Sequence, residues 1–478
     1  MRKRRLLTII FYSILWHTVS FAQRKCGIQQ LKAAMIAHDP AWAERLEAQR
    51  AALQGIADNY KLQQKQNVAA RATAARDTIP VIFHVILNSE QLSQIGGITG
   101  IRQRIDSQIA ILNRDYNRMN SDSALIPFGW KHLYAAAGIH FGLAHTGPGG
   151  LPSPGYELKI ISAAGFFGAD SSYPDAKHAT LGRGALSQSS GLDAWDVSKY
   201  LNVWCINFSD IMGLLGITVA PSFTTGATAM TAGEMGVCIS YAAFGSRAAL
   251  TDYYEATGYA DDHYDLGRTL THEVGHFFEI WHTWGDDGGL CPWNGGADDG
   301  LADTPPEGDA KYFNYPDTIP GGTYFDNCRF DGVNDTQSVL FGIGSLDFMN
   351  YTDDIAMHLF TTDQAAVMAA QVAPGGESYS LTQHPDLLQM PQNSLPATQV
   401  AIFPNPTTGI VNITVDPNAS ALSGIRIINM LGQVVARIST AGAPTGYYYA
   451  DLSGLCKGIY FVRCNFASGC ITRKILLQ

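Results

Sequence analysis

Residues 271–286 read THEVGHFFEIWHTWGD. His272 and His276 stand four apart, so on a helix they share one face. Two imidazoles in that relation can hold one zinc at about 2.0–2.1 Å, with Glu273 beside the water that the metal would activate. His282 follows six residues after His276. That is far enough for the helix to end and the chain to turn back with a third imidazole. Three protein ligands leave a fourth position open, which is the pattern of a catalytic zinc rather than a structural one. Zinc so held polarises a carbonyl and brings the pKa of its water towards about 7. Glu273 would take that proton and deliver it to a leaving amine. The alternative, two histidines packed in a helix, leaves His282 unexplained.

Upstream, IPVIFHVIL (79–87) is apolar on both alternating faces, which predicts a strand buried within a sheet. Ile98, Ile101, Ile105, Ile109, Leu112 and Tyr116 then recur at spacings of three and four, with Arg102, Gln103, Asp106 and Gln108 between them, and predict an amphipathic helix. Further strand-like runs at 139–144, 201–207 and 236–241 complete the expectation of an α/β (α+β) domain over 77–375. Residues 286–344 read mostly as loop. Residues 376–396 read as a polar, Pro-containing linker. From 400 onward, short alternating runs at 400–403, 409–415, 424–429, 433–438, 446–450, 458–465 and 470–477 are separated by turn residues. They predict a C-terminal all-β sandwich over 397–478.

The N-terminus has a different character. Arg2-Lys3-Arg4-Arg5 precedes an apolar run from Leu6 to Trp16, and Ser20 and Ala22 offer small residues at a cleavage site. Residues 1–22 therefore read as a secretory signal peptide, the apolar run being too short for a membrane anchor. Residues 23–76, rich in Ala, Gln, Lys and Arg, read as a helical propeptide ending in an exposed joint, AARATAAR (69–76). The 478 residues are 46% hydrophobic and 15% charged, enough for a real core and against wholesale disorder. A formal charge of −10 with no basic stripe argues against nucleic-acid binding, and no later segment is apolar for long enough to span a membrane.

Export makes disulfides possible, and there are eight cysteines: Cys26, Cys205, Cys238, Cys291, Cys328, Cys456, Cys464 and Cys470. No CxxC pair is present, against a cysteine-only zinc ribbon. Cys205 and Cys238 fall on two predicted strands, either paired or as buried thiols. Cys26 stands alone, just after the signal peptide. Its thiolate can occupy the open fourth position of a zinc and exclude water, holding the chain latent; the alternative is a free thiol. The acidic, Gly-rich stretch 286–303 carries Asp286, Asp298, Asp299 and Asp303, hard oxygen ligands that suit calcium, although without EF-hand spacing; the alternative is a solvated acidic loop.

The segment 271–286 resembles the extended zinc motif of the metzincin proteases. Its flanks resemble the pappalysin family, especially a bacterial cytophagalysin-like branch, through IPVIFHVI (79–86), LNRDYNRMNSD (112–122), WDVSKYLNVW (195–204), GRTLTHEVGH (267–276), HTWGD (282–286) and ADTP (302–305). The resemblance covers about 78–372. It implies a metzincin-type zinc protease acting on protein or peptide substrates. It also implies a Met-containing turn at Phe348-Met349-Asn350-Tyr351, with Met349 as the apolar floor under the imidazoles and Tyr351 directed at the metal to bond the oxyanion. It further implies a structural calcium near the cleft and a Cys291–Cys328 disulfide. Such a bridge, closing about 38 residues, would contribute roughly 3–4 kcal/mol in the chain-entropy account.

The chain departs from the family at two positions. Glu279 stands where the family has Gly, in a left-handed turn where a Cβ costs about 1 kcal/mol, so His282 is at risk of displacement. Ile355 stands near where Arg-preferring members carry an acidic residue, which favours a neutral pocket. The C-terminal unit resembles the sorting domain of the type IX secretion system. The residues that carry this are Phe403-Pro404-Asn405-Pro406, Asn429-Met430-Leu431-Gly432, Asp451-Leu452-Ser453, Gly458-Ile459-Tyr460-Phe461-Val462 and TRKILLQ (472–478). This implies that machinery as a partner, and a secreted or surface-attached destination. The rivals are a binding or adhesin protein on a degenerate protease fold, supported by Glu279 alone, and a zinc amidase of the cell wall.

Overall fold

The computed structural model describes residues 25–66, 78–160, 192–208, 214–225, 230–246, 263–286, 298–304, 307–308, 310, 344–389, 400–416, 421–439, 447–466 and 469–478. The expected signal peptide and the joint at 69–76 lie outside them.

The run at 79–87 forms β2 (Thr78–Leu87), and all but its first residue are buried. A strand with both faces covered sits inside a sheet, and β2 has neighbours on both sides. On one side lies β7 (Leu201–Ile206). On the other lie β3 (His140–Leu143), along the first half, and β6 (Tyr156–Ile160), along the second. All three pair with it in parallel. Beyond β7 comes β9 (Gly236–Ser240), also parallel, and then β8 (Leu214–Val219), the one antiparallel member. The edge is completed by β1 (Lys25–Cys26), which adds to β8 in parallel, with Cys26 opposite Gly216. A small hairpin, β4 (Thr146–Gly147) and β5 (Leu151–Pro152), stands apart from this sheet.

The segment expected to be helical before β2 forms α1 (Ile28–His38) and α2 (Ala41–Gln66). Sequence gave it no strong core, yet Trp42, Leu46, Leu53 and Ala57 are buried. Their spacing of four, seven and four makes one face of a helix, and that face docks on the rest of the chain. After the short α3 (Ser89–Gln94), the periodic isoleucines form α4 (Gly97–Asp115). The zinc motif lies on α5 (Arg268–Phe277), and α6 (Thr362–Val372) packs against α2. Part of the expected linker is packed rather than extended. Residues 379–388 form two 3-10 turns because Leu381 and Leu387 are buried.

The seven expected C-terminal strands are all present: β10 (Val400–Phe403), β11 (Ile410–Val415), β12 (Leu422–Asn429), β13 (Val434–Ile438), β14 (Tyr447–Asp451), β15 (Gly458–Phe466) and β16 (Gly469–Leu477). They make a three-stranded sheet, β10-β11-β14, and a four-stranded sheet, β13-β12-β15-β16, around one core that includes Val411, Ile413, Ile427, Val462 and Ile475. Cys464 is buried there as a small apolar side chain. In the main sheet, Cys238 faces Trp204 and Cys205 faces Ile239. The two sulfurs therefore leave from opposite faces, and Cys205 is a buried thiol.

Candidate active site

Helix α5 begins after Gly267, whose φ of +79° suits glycine and where a Cβ would stand 2.6 Å from Ile111 Cδ1. Its first turn is held by Asp354, which accepts from the N–H groups of Leu266 and Arg268 at 3.0 Å each. Arg268 in turn pairs with Asp115 at 3.0 Å and Asp122 at 2.9 Å. The helix is thereby fixed to α4 and to the loop after it before any ligand geometry is considered.

All three imidazoles point their Nε2 atoms at one place. The Nδ1–H of His272 donates to Phe348 C=O at 2.7 Å, that of His276 donates to Ile280 C=O at 2.6 Å, and that of His282 is held by Asp286. With every Nδ1 carrying the proton, each Nε2 presents a lone pair. The three Nε2 atoms lie 3.1–3.2 Å apart. Tetrahedral bonds of about 2.0 Å require an edge of about 3.3 Å, so this donor set fits zinc. Three lone pairs converging in a buried site repel one another without a cation between them. Burial and the neighbouring His282 hold His276 well below its usual pKa, in the neutral ligand form.

Cys26 Sγ joins the cluster: the sulfur and one nitrogen of each His all lie within 4.8 Å of one another. It is the only such group of His, Cys, Asp and Glu among the described residues. Burial, with Glu273 beside it, pushes the thiol well above its ordinary value, so a thiolate there demands a compensating cation.

Glu273 is buried against β8. Its Oε2 accepts from Thr218 Oγ1 at 2.7 Å. A Cβ at Gly216 would lie 2.4 Å from its Oε1. Met349 sits under the helix in the same close fashion, its sulfur 2.4 Å from where a Gly275 Cβ would be. The Met349 turn is fixed by Asp347, which accepts from Met349 N–H at 2.7 Å, and by Asn350, whose amide bonds Thr283, Glu307 and Gly344. Tyr351 places its ring centroid 4.9 Å from that of His282 and its hydroxyl on the backbone of Cys26.

Glu279 does take the left-handed turn, with φ of +72°, and His282 keeps its place in the cluster. Its carboxylate accepts from Ser222 N–H at 3.2 Å, from Ser222 Oγ at 2.9 Å and from Gln49 of α2. Burial, reinforced by Glu377, pushes its pKa up to about 7. Ile355 is exposed at 48%.

The four carboxylates expected to bind calcium do not share one set of partners. Asp286 holds His282 and also takes Lys32 and Gln29. Asp298 pairs with Arg50 at 3.2 Å. Asp299 and Asp303 each keep one buried oxygen with no hydrogen-bond partner, Oδ2 and Oδ1 respectively, and so does Asp347 at Oδ2. Cys291 and Cys328 lie outside the described residues. Sequence reasoning missed Thr218, Asp286 as the holder of His282, and Trp284, which stacks on His282 at 4.3 Å and 7°. Trp284 and Asp286 shared one signal, their place in HTWGD (282–286), and Thr218 had none.

Comparison with known proteins gives a consistent result. Residues 186–373 match the family described as Pregnancy-associated plasma protein-A, and residues 401–478 match the Secretion system C-terminal sorting domain. Mature mirolysin of Tannerella forsythia, solved with a cleaved peptide, is 31% identical, with a TM-score of 0.51; the match covers 66% of this chain and 98% of that one. A promirolysin mutant from the same organism is 28% identical, with a TM-score of 0.53, over 76% of this chain and 98% of that one. An extracellular metalloprotease of Arthroderma otae is 30% identical over 39% of this chain and 56% of its own length. One from Colletotrichum graminicola is 26% identical over 49% and 59%. The chain thus spans less than two thirds of these curated relatives.

Proposed function

Because the chain belongs to the pregnancy-associated plasma protein-A family of metallopeptidases, we propose that it is a secreted zinc endopeptidase made as a latent precursor. The observation that carries the reading is the convergence of the three Nε2 lone pairs beside a buried Glu273. A zinc held by His272, His276 and His282 supplies a Lewis acid for the scissile carbonyl and an acidified water. Glu273, oriented by Thr218, takes the proton from the attacking water and returns it to the departing amine. Tyr351, once its hydroxyl leaves Cys26, is placed to donate to the oxyanion that develops on the substrate carbonyl.

Residues 23–76 act as the propeptide. Cys26 blocks the fourth ligand position, and its strand occupies the β8 edge where an extended substrate would pair. Residues 77–375 are the catalytic domain, and 397–478, after a linker, direct type IX secretion. Asp299, Asp303 and Asp347 keep buried oxygens without a partner, but they do not converge as a three-ligand cation site, so calcium has no part in this reading. The binding-protein rival rested on Glu279, which leaves the histidine cluster intact.

The test is cleavage of a random peptide pool by the secreted protein, beside Glu273→Ala and a chelated sample, with bound zinc counted. Cutting by wild type alone, at one catalytic zinc per chain, is the expected result. A zinc-loaded wild type that cuts nothing would return the binding-protein reading to first place.

A further inference from the structure

Three large apolar side chains stand exposed in the loop that follows α4: Met119 at 67%, Leu125 at 65% and Phe128 at 92%. Single exposed apolar residues are ordinary, but a cluster of them in one short loop asks for a partner. The loop has no freedom to fold them inward. It runs through two 3-10 turns, Ser121–Leu125 and Phe128–Trp130. Its inward positions are already taken by Ile126, Trp130 and Tyr134, which fill a small core with Leu346 and Leu359. Asn120 adds a bond from its amide to His358 C=O at 2.9 Å. Leu125 and Phe128 are thus held outward by the burial of their neighbours, and presenting them costs no further ordering of the chain.

The exposed charge around the cluster has one sign. Arg118 and Lys131 are both exposed. Lys131 N–H bonds Phe128 C=O at 3.4 Å, and residues three apart in a 3-10 turn eclipse each other, so the ammonium leaves on the same side as the phenyl ring. Arg118 lies over the Tyr134 ring and reaches Lys131 C=O at 3.5 Å, which brings the two ends of the loop together. The two carboxylates between residues 114 and 132, Asp115 and Asp122, are turned to Arg268 at 3.0 and 2.9 Å. In a chain with a formal charge of −10, this basic rim is a local exception.

We propose that the loop from Arg118 to Lys131 docks the protein on an anionic lipid bilayer. Phe128, Leu125 and Met119 enter the acyl boundary, while Lys131 and Arg118 lay their apolar stems along it and keep their charged heads at the phosphates. A second copy of the chain suits the face less well, because a two-fold contact would set Arg118 and Lys131 against themselves. No residue of the histidine site takes part, so the docking stands apart from the peptidase reading.

The experiment sediments the secreted precursor, kept intact by Glu273→Ala, with vesicles of phosphatidylcholine alone or mixed with phosphatidylglycerol. Binding to the mixed vesicles is expected to exceed binding to the neutral ones about tenfold and to weaken as salt is added. Phe128→Ser should lower binding to the mixed vesicles about tenfold. Lys131→Gln should lower it about fivefold, and on mixed vesicles only. Both side chains are exposed, so melting temperatures should stay at the wild-type value. A tryptophan introduced by Phe128→Trp should be quenched by lipids brominated in their acyl chains, beyond the quenching seen without it. Failure to sediment with either vesicle overturns the proposal. So does binding that survives Phe128→Ser, or an introduced tryptophan that the brominated lipids leave unquenched. A lipid-free dimer that Phe128→Ser dissociates would overturn it in favour of a second copy.

Discussion

The hydroxyl of Tyr351 holds the backbone of Cys26 from both sides: it accepts from the Cys26 N–H at 3.0 Å and donates to the Cys26 C=O at 3.3 Å. On the proposed function, one residue therefore disables two parts of the chemistry. Its sulfur stands at the metal position, and its main chain consumes the hydroxyl assigned to the oxyanion. Latency so proposed is a matter of occupied donors and acceptors as much as of a blocked cleft.

Replacing Cys26 by Ala removes the sulfur but leaves β1 paired with β8 and the backbone on Tyr351. Full-length Cys26→Ala is expected to lose its propeptide about tenfold sooner than wild type, because the open ligand position admits water in the intact precursor. Gel time courses of the two precursors, with a chelated control, measure it. Identical time courses would show that the thiol is not what holds the precursor latent.

Thr218 bonds Glu273, the proposed general base, and so acts on the chemistry through it rather than on the reacting atoms. Its hydroxyl favours the ionised form of Glu273 and sets its rotamer. Thr218→Val is expected to lower kcat about tenfold with KM within about twofold, and to move the acid limb of the pH profile upward, since the ionised form loses a donor. Thr218→Ser should restore the limb. A loss in which the limb stays put and Ser fails to rescue would make the role packing alone.

How much of this was legible in the sequence differs between elements. The helix of the zinc motif and α4 announce themselves through spacings of three and four, and β2 through nine apolar-rich residues in a row. Strand β8 does not. It is short, Gly216 interrupts it, and its meaning lies in a contact with Glu273, which is 57 positions away. Asp286 misled for a related reason. A carboxylate in an acidic, Gly-rich run looks like a cation ligand, and nothing local says that His282, four residues earlier, turns back onto it. Glu279 was legible as a left-handed residue from its place at the helix end, but not as a partner of Ser222 and Gln49.

Gly216 follows from the same contact. Any Cβ there meets the Glu273 carboxylate at 2.4 Å, between strand and helix backbones that cannot separate without breaking the β8–β9 pairing. Gly216→Ala is expected to reduce kcat by about a hundredfold or more by turning Glu273 off its rotamer, while zinc stoichiometry stays at wild type. Zinc content and single-turnover rates on one preparation separate the two. Normal turnover would mean that the carboxylate has room the structure does not give it.

Glu279 makes the precursor sensitive to pH with a definite sign. Burial raises its carboxyl to about 7, above the about 4.3 of an unfolded chain. A carboxyl so raised gives its full stabilisation below about 4.3, where both states are protonated, and loses it as pH rises through 7, where the buried group must ionise. The swing is on the order of 3 kcal/mol, and the bonds from Ser222 and from Gln49 oppose it by favouring the ionised form. In a precursor kept intact by Glu273→Ala, wild-type Glu279 should therefore melt several degrees lower at pH 8 than at pH 5, and Glu279→Gln, which cannot ionise, should show a smaller drop. Glu279→Gly separates charge from backbone: it relieves the left-handed strain of about 1 kcal/mol but gives up the bonds from Ser222 and Gln49. It should flatten the pH response as Gln does. Equal pH dependence in all three proteins would place the titrating group elsewhere, and would leave Glu279 as a residue that tolerates its turn without tuning the precursor.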